Sequence, residues 1–115
     1  MYRFAYADVL DEDPAKQRWT EKLAVDRAIE LLRAGRQQGS GSIAAIEALD
    51  YTRQLWMIFV EDAASSGNDL PADLRAKLVS IGIWILREVD EIRKGNAKSF
   101  DDLIEVCEQI SEGLN

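Results

Sequence analysis

Histidine is absent from the 115 residues, cysteine occurs once and proline twice. Each shortage excludes something. Without histidine there is no imidazole base to activate a hydroxyl or thiol, and no Glu-x-x-His metal site of the kind built in helical bundles. The single cysteine, Cys107, cannot form an intrachain disulfide framework, which suits a reducing compartment. The longest wholly apolar run is the six residues Leu55 to Val60, far short of the ~20 needed to span a bilayer. Met1 to Asp8 lacks the apolar stretch of a secretory signal. The expected location is the cytoplasm, with no membrane partner.

Basic residues are also scarce, 14 against 21 acidic, for a net charge of −7. Residues 42–69 carry one basic and five acidic groups, and residues 99–115 carry none and five. Nucleic-acid affinity comes largely from Lys and Arg neutralising phosphates, so direct binding to RNA or DNA is disfavoured. Residues 70–98 lean the other way, with six basic and four acidic groups. A solvated helix face explains them most simply.

What is present is 47% hydrophobic and 30% charged residues, enough for one core in a single domain over residues 1–115. Both prolines stand where a helix would begin. Asp13 before Pro14 offers an N-cap and a proline at the first helical position. Ala24, Ala28 and Leu31, with Val25 and Leu32, then recur at helical spacing. Residues 35–42 end that helix; Gly35 or Gly39 supplies the left-handed residue after it, and Ser42 caps the next. A second helix is predicted over Ile43 to Ala64, with Ile46, Leu49, Trp56, Val60 and Ala63 on the core face. A third runs from about Pro71 to Lys94, closed by Gly95, with Leu74, Leu78, Ile81, Ile85, Val89 and Ile92 as its stripe and Gly82 permitting close approach. Ser99 and Asp102 suggest a capping box before a shorter fourth helix, whose seam is Phe100, Leu103, Cys107, Ile110 and Leu114. No stretch alternates long enough for a sheet. The fold class is all-α, a bundle of four helices over residues 13–115 preceded by an arm, residues 1–12. The arm's alternating Tyr2, Phe4 and Tyr6 are expected to fold back over Trp19 and Leu23.

Chemistry-bearing patterns fail on context. Gly39-Ser40-Gly41-Ser42-Ile43-Ala44 satisfies the dinucleotide fingerprint but follows a helix, where the mechanism needs a strand. The acidic pairs Glu61-Asp62 and Asp101-Asp102 read as surface and helix-start charges, and the EF-hand pattern is missing. Cys107 falls on an apolar seam with no cation within residues 99–115, so it reads as a core residue. No catalytic residue, metal site or cofactor is expected, and the chain is not expected to be an enzyme.

One core does not absorb all the apolar residues. Val79, Ile83 and Leu86 form a second stripe on the third helix, turned about 100° from the first; Trp84 falls outside both. Met57 and Ile58 lie off the core face of the second helix. Two readings stay open: a centrally buried third helix, or a partner-binding surface comprising Met57, Ile58, Val79, Ile83, Trp84 and Leu86. Arg53 interrupts the second helix's apolar face between Leu49, Trp56 and Val60. It serves either an internal ion pair, for instance with the acidic fourth helix, or a partner.

The segment Ala48-Leu49-Asp50-Tyr51-Thr52-Arg53-Gln54-Leu55-Trp56-Met57-Ile58-Phe59 is similar to A-L-x-x-N-R-x-L-W-x-x-F, and Asn68-Asp69-Leu70-Pro71-Ala72-Asp73-Leu74-Arg75-Ala76 to N-x-L-P-x-x-L-R-A. With Ala5-Tyr6-Ala7, Ser80 to Trp84, Leu103-Ile104-Glu105-Val106 and Glu112-Gly113-Leu114, they resemble the bacterial flagellar biosynthesis regulator FlaF family. Thr52 and Cys107 depart from it, standing where the family pattern has Asn. The archaeal proteins of that name are a different family. The resemblance implies a non-enzymatic role in flagellin production, with flagellin and FlbT as partners. The residues favour a helical protein that grips another chain, and the resemblance implies that the chain is flagellin, held as by a chaperone. The alternative is a post-transcriptional regulator acting on flagellin message, alone or with FlbT.

Overall fold

Ser42, Gly39 and the glycine after the third helix set most of the boundaries. A computed structural model describes residues 14–65, 67, 70–95 and 100–114. It has four helices: α1 (Pro14–Gln38), α2 (Ile43–Ala64), α3 (Ala72–Arg93) and α4 (Asp101–Gly113). No strand occurs among the described residues. The all-α four-helix bundle is the fold. Asp13, Ser99 and the arm lie outside the described residues.

The α1–α2 turn resolves the choice between glycines. Gly39 takes the left-handed conformation, φ 104°, and its N–H donates to Gly35 O at 3.0 Å. The Ser42 hydroxyl accepts from Ala45 N at 3.1 Å and donates to Gly39 O at 2.7 Å. Gly35 remains helical and serves packing: a Cβ there would lie 2.8 Å from the Ala45 Cα. At the far end of α3, Gly95 adopts φ 82° and its N–H donates to Ile92 O. Helix α4 begins at Asp101 with Phe100 at its cap position and no side-chain cap. Asp101 and Asp102 instead offset the positive end of its dipole.

Successive helices run antiparallel. Gly35 meets Ala45 and the Tyr51 hydroxyl donates to Ala24 O at 3.3 Å, which fixes α1 against α2. Gly82 approaches Trp56 and Val60, and Asp90 lies near Arg53, which fixes α2 against α3. Helix α4 packs along α1 and meets α3 only slightly. The central helix is therefore α2, and of the two readings left open for the third helix, burial on all sides does not hold, because Ile83 and Trp84 are exposed. Small Ala45 and Ala48, both fully buried, bring α2 close to α1. Val25, Ala28, Leu32, Leu55, Trp56, Ile85, Val89, Leu103 and Cys107 complete the middle of the core.

Two expected core residues are exposed, Ile46 and Leu74, for one reason. With Arg53 opposite Asp90, Ile46 would need a partner near position 97, beyond the end of α3. With Val60 opposite Gly82, Leu74 would need one near position 68, beyond the end of α2. Two 22-residue helices are staggered, so each leaves a terminal turn without the other.

Cys107 is fully buried, as its seam position predicted. Burial pushes its thiol from 9.0 up to about 12, with the Glu108 charge adding to the rise and the nearby Trp56 indole opposing it. The Trp56 N–H has no hydrogen-bond partner of proper geometry.

These contacts give two expectations. Gly82→Ala should destabilise the fold by ~1–3 kcal/mol through overpacking against Val60, although alanine is the better helix former by ~1 kcal/mol. A urea midpoint at or above the parent's would show that Val60 yields. Cys107 should react with thiol reagents far more slowly folded than unfolded, and comparable rates would refute its burial. The folded thiol keeps its proton to about pH 12 and an exposed one to about 9.0. In that window the unfolded state binds fewer protons, so stability falls as pH rises above the unfolded value.

Candidate partner-binding face

Helix α2 turns one side to α1 and another to α3, and its third side carries Arg53 and Met57. At 3.6 residues per turn, α3 turns Gly82 toward α2 and places Val79, Ile83, Leu86 and Asp90 beside that contact, on the outer flank. The antiparallel register sets Met57 at the level of Leu86. Met57 and Ile83 are 38% and 41% exposed, and Val79 and Leu86 are partly buried. The flank thus gathers four of the six apolar residues singled out in the sequence. Trp84 is exposed but points some 100° away from Ile83,. Ile58 is turned by a similar angle from Met57, toward the α1 side of α2. Neither shares the wall.

Arg53 belongs to this flank. Its Nη1 donates to Met57 Sδ at 3.2 Å, and its Nε lies 3.8 Å from Asp90 Oδ1. The fourth helix, the suggested source of its carboxylate, is engaged elsewhere because it packs on α1. Arg33 pairs with Glu108 and Arg36 with Asp101, the latter at 2.9 Å. Lys22 donates to Ser111 Oγ at 2.8 Å and Ser111 in turn to Asp26. The Arg53 pair is partly exposed on both sides, not the buried pair that the projection suggested.

Arg75 was missed in the sequence. It precedes Val79 by one turn, and its Nε is buried without a hydrogen-bond partner. An N–H of a charged group left unpaired costs stability. Its place in the L-R-A part of the family pattern was the available signal; its burial is visible only in the fold.

A concavity lies away from this flank, between α1 and α4. Leu23, Asp26, Arg27, Ile29, Glu30, Arg33, Glu108, Ser111 and Glu112 line it. Among the described residues no group of three or more Cys, Asp or Glu side chains could hold a metal ion. No described helix is long and apolar enough to cross a membrane.

Arg53→Met should shift stability by less than ~1 kcal/mol, the range of an exposed ion pair. A loss above ~3 kcal/mol in chemical denaturation would be the mark of a buried pair and would contradict the placement.

No curated protein and no solved structure matches the chain. A family model described as flagellar protein FlaF matches residues 2–114. The matched span contains all four helices and every residue of the outer flank, so this chain belongs to the FlaF family of flagellar proteins.

Proposed function

We propose that this FlaF-family chain is a non-enzymatic regulator of flagellin production that binds flagellin as a cytoplasmic chaperone and acts with FlbT. The observation that carries the reading is the apolar flank of α2 and α3, which no described helix covers. Met57 on α2 and Val79, Ile83 and Leu86 on α3 offer a strip of apolar side chains along one side of the helix pair. An amphipathic helix of flagellin lays its apolar face along that strip, anchored at helical spacing. Arg75, at one end of the strip, then finds an acceptor in a partner carbonyl or carboxylate.

The chemistry of the flank supports burial, not charge, as the driving force. Removing apolar surface from water contributes ~25 cal/mol per Å², and a chain of charge −7 gains little by steering an acidic partner. A role on flagellin message has less support. Arg27, Arg33 and Arg36 are each paired with a carboxylate, whereas phosphate binding draws on cations free to displace the counterions of the nucleic acid.

Ile83→Asp should weaken flagellin binding by at least ~2 kcal/mol, about thirtyfold, if Ile83 is a central anchor. Helical circular dichroism should be unchanged, and affinity should vary little with salt. Trp84→Ala and Ile58→Ala should leave affinity nearly intact, since neither shares the wall. Folded Ile83→Asp protein that binds flagellin at full strength would sink the assignment. Retention on RNA that falls steeply with salt would favour the message-binding role instead.

A further inference from the structure

We propose that residues 2–10 of this chain, which lie outside the described residues, dock within the same molecule over the exposed start of α1 and into the groove between α1 and α4. This inference does not rest on the flagellin reading, whose surface is the α2–α3 flank.

Trp19 and Leu23 stand one turn apart on α1 and are 59% and 51% exposed. Leu23 also opens the α1–α4 groove, with Ile29 further along it. An apolar strip therefore starts just inside Pro14 and continues into a concavity. The segment in question enters from that end. The nine extended residues 2–10 span about 30 Å, and the rise from Pro14 to Arg33 along α1 is about 28 Å. Reversing at residues 11–13, the segment reaches most of the groove.

Its residue pattern fits the strip. In an extended segment Tyr2, Phe4 and Tyr6 share one side, which presents three rings to the exposed Trp19 and Leu23. Asp26, Glu30 and Glu108 of the groove already pair with Lys22, Arg27 and Arg33, so the rings, not the charge of Arg3, carry the docking. The segment's own carboxylates at 8, 11, 12 and 13 gather near the start of α1, where the dipole favours them. Tethering gives the segment a millimolar effective concentration, so the same chain is favoured over a second copy.

The test uses the full chain with Tyr2→Cys carrying a nitroxide; buried Cys107 stays unlabelled in the folded protein. Amide resonances of residues 19–33 and 108–112 should lose intensity relative to the reduced label, while residues 79–86 should not. Broadening confined to the first turn of α1, or centred on the α2–α3 flank, overturns the proposal. A mixture of spin-labelled chain and isotope-labelled, unmodified chain should show no broadening; broadening there would make a second copy the occupant and also overturn it. Because the label alters the segment, a double-mutant cycle gives an independent reading. Phe4→Ser and Leu23→Ser should each lower the urea midpoint, and together by less than the sum. Additive losses, or no loss from Phe4→Ser, contradict contact between them.

Discussion

The indole of Trp56 heads the side chains with no exposed surface, and the arrangement of three helices depends on its burial. Helix α2 carries it. Helix α3 comes close because position 82 is glycine, where even a Cβ would stand 3.4 Å from the indole's Cε3. Helix α4 presents Cys107, whose small side chain lets the ring in. Phe59 closes one edge at 5.2 Å between ring centroids and an interplanar angle of 85°, the edge-to-face geometry that aromatic quadrupoles favour. Packing at this density leaves little room for a larger residue at 82 or 107. The cost is polar. The indole N–H is orphaned, and a thiol is a weak acceptor. Position 107 is also where the family resemblance sets Asn, whose amide oxygen would accept that N–H.

Local chemistry made the boundaries legible. Ser42, Gly39, Pro71 and Gly95 act through their own dihedrals and hydrogen bonds, so they mark turns whatever the tertiary structure does. The seam of α4 was equally legible, because Phe100, Leu103 and Cys107 repeat at helical spacing and all three are buried. What could not be read was which neighbour each face would meet. Ile46 and Leu74 satisfy the helical period and are exposed only because α2 and α3 are staggered. Arg53 projects onto the core side of α2, yet the register brings it to Asp90 and Met57 at the edge of that side. The same limit governs the candidate face. Met57, Val79, Ile83 and Leu86 were legible as apolar residues beyond the main stripe. Separating Ile58 and Trp84 from them requires the helix register, which spacing within one helix does not contain.

Charge and burial divide the molecule between them. The acidic α4 lies on the α1 side that carries Lys22, Arg33 and Arg36, and its carboxylates and serine are taken up there. A closed four-helix bundle would set the fourth helix equally against the first and the third. Here α4 has 13 residues and its charges match only α1, so it covers that side and barely touches α3. Among the described residues no further element covers the outer flank of α2 and α3. Its apolar residues follow from where the counter-charges are, not from any excess of hydrophobic residues in the chain.

The two seams should then answer differently to the solvent. Exposed ion pairs between α1 and α4 contribute up to ~1 kcal/mol each and are screened by salt. Apolar burial is insensitive to screening and strengthens in sulfate or phosphate. The α1–α4 side still has Leu103, Ile104 and Cys107 buried beneath its charges, so screening the pairs does not detach α4. Its charges orient the helix and its apolar seam holds it. On the α2–α3 flank the same division holds in outline: Met57, Val79, Ile83 and Leu86 supply apolar surface, and Arg53, Asp90 and Arg75 are the charges beside them.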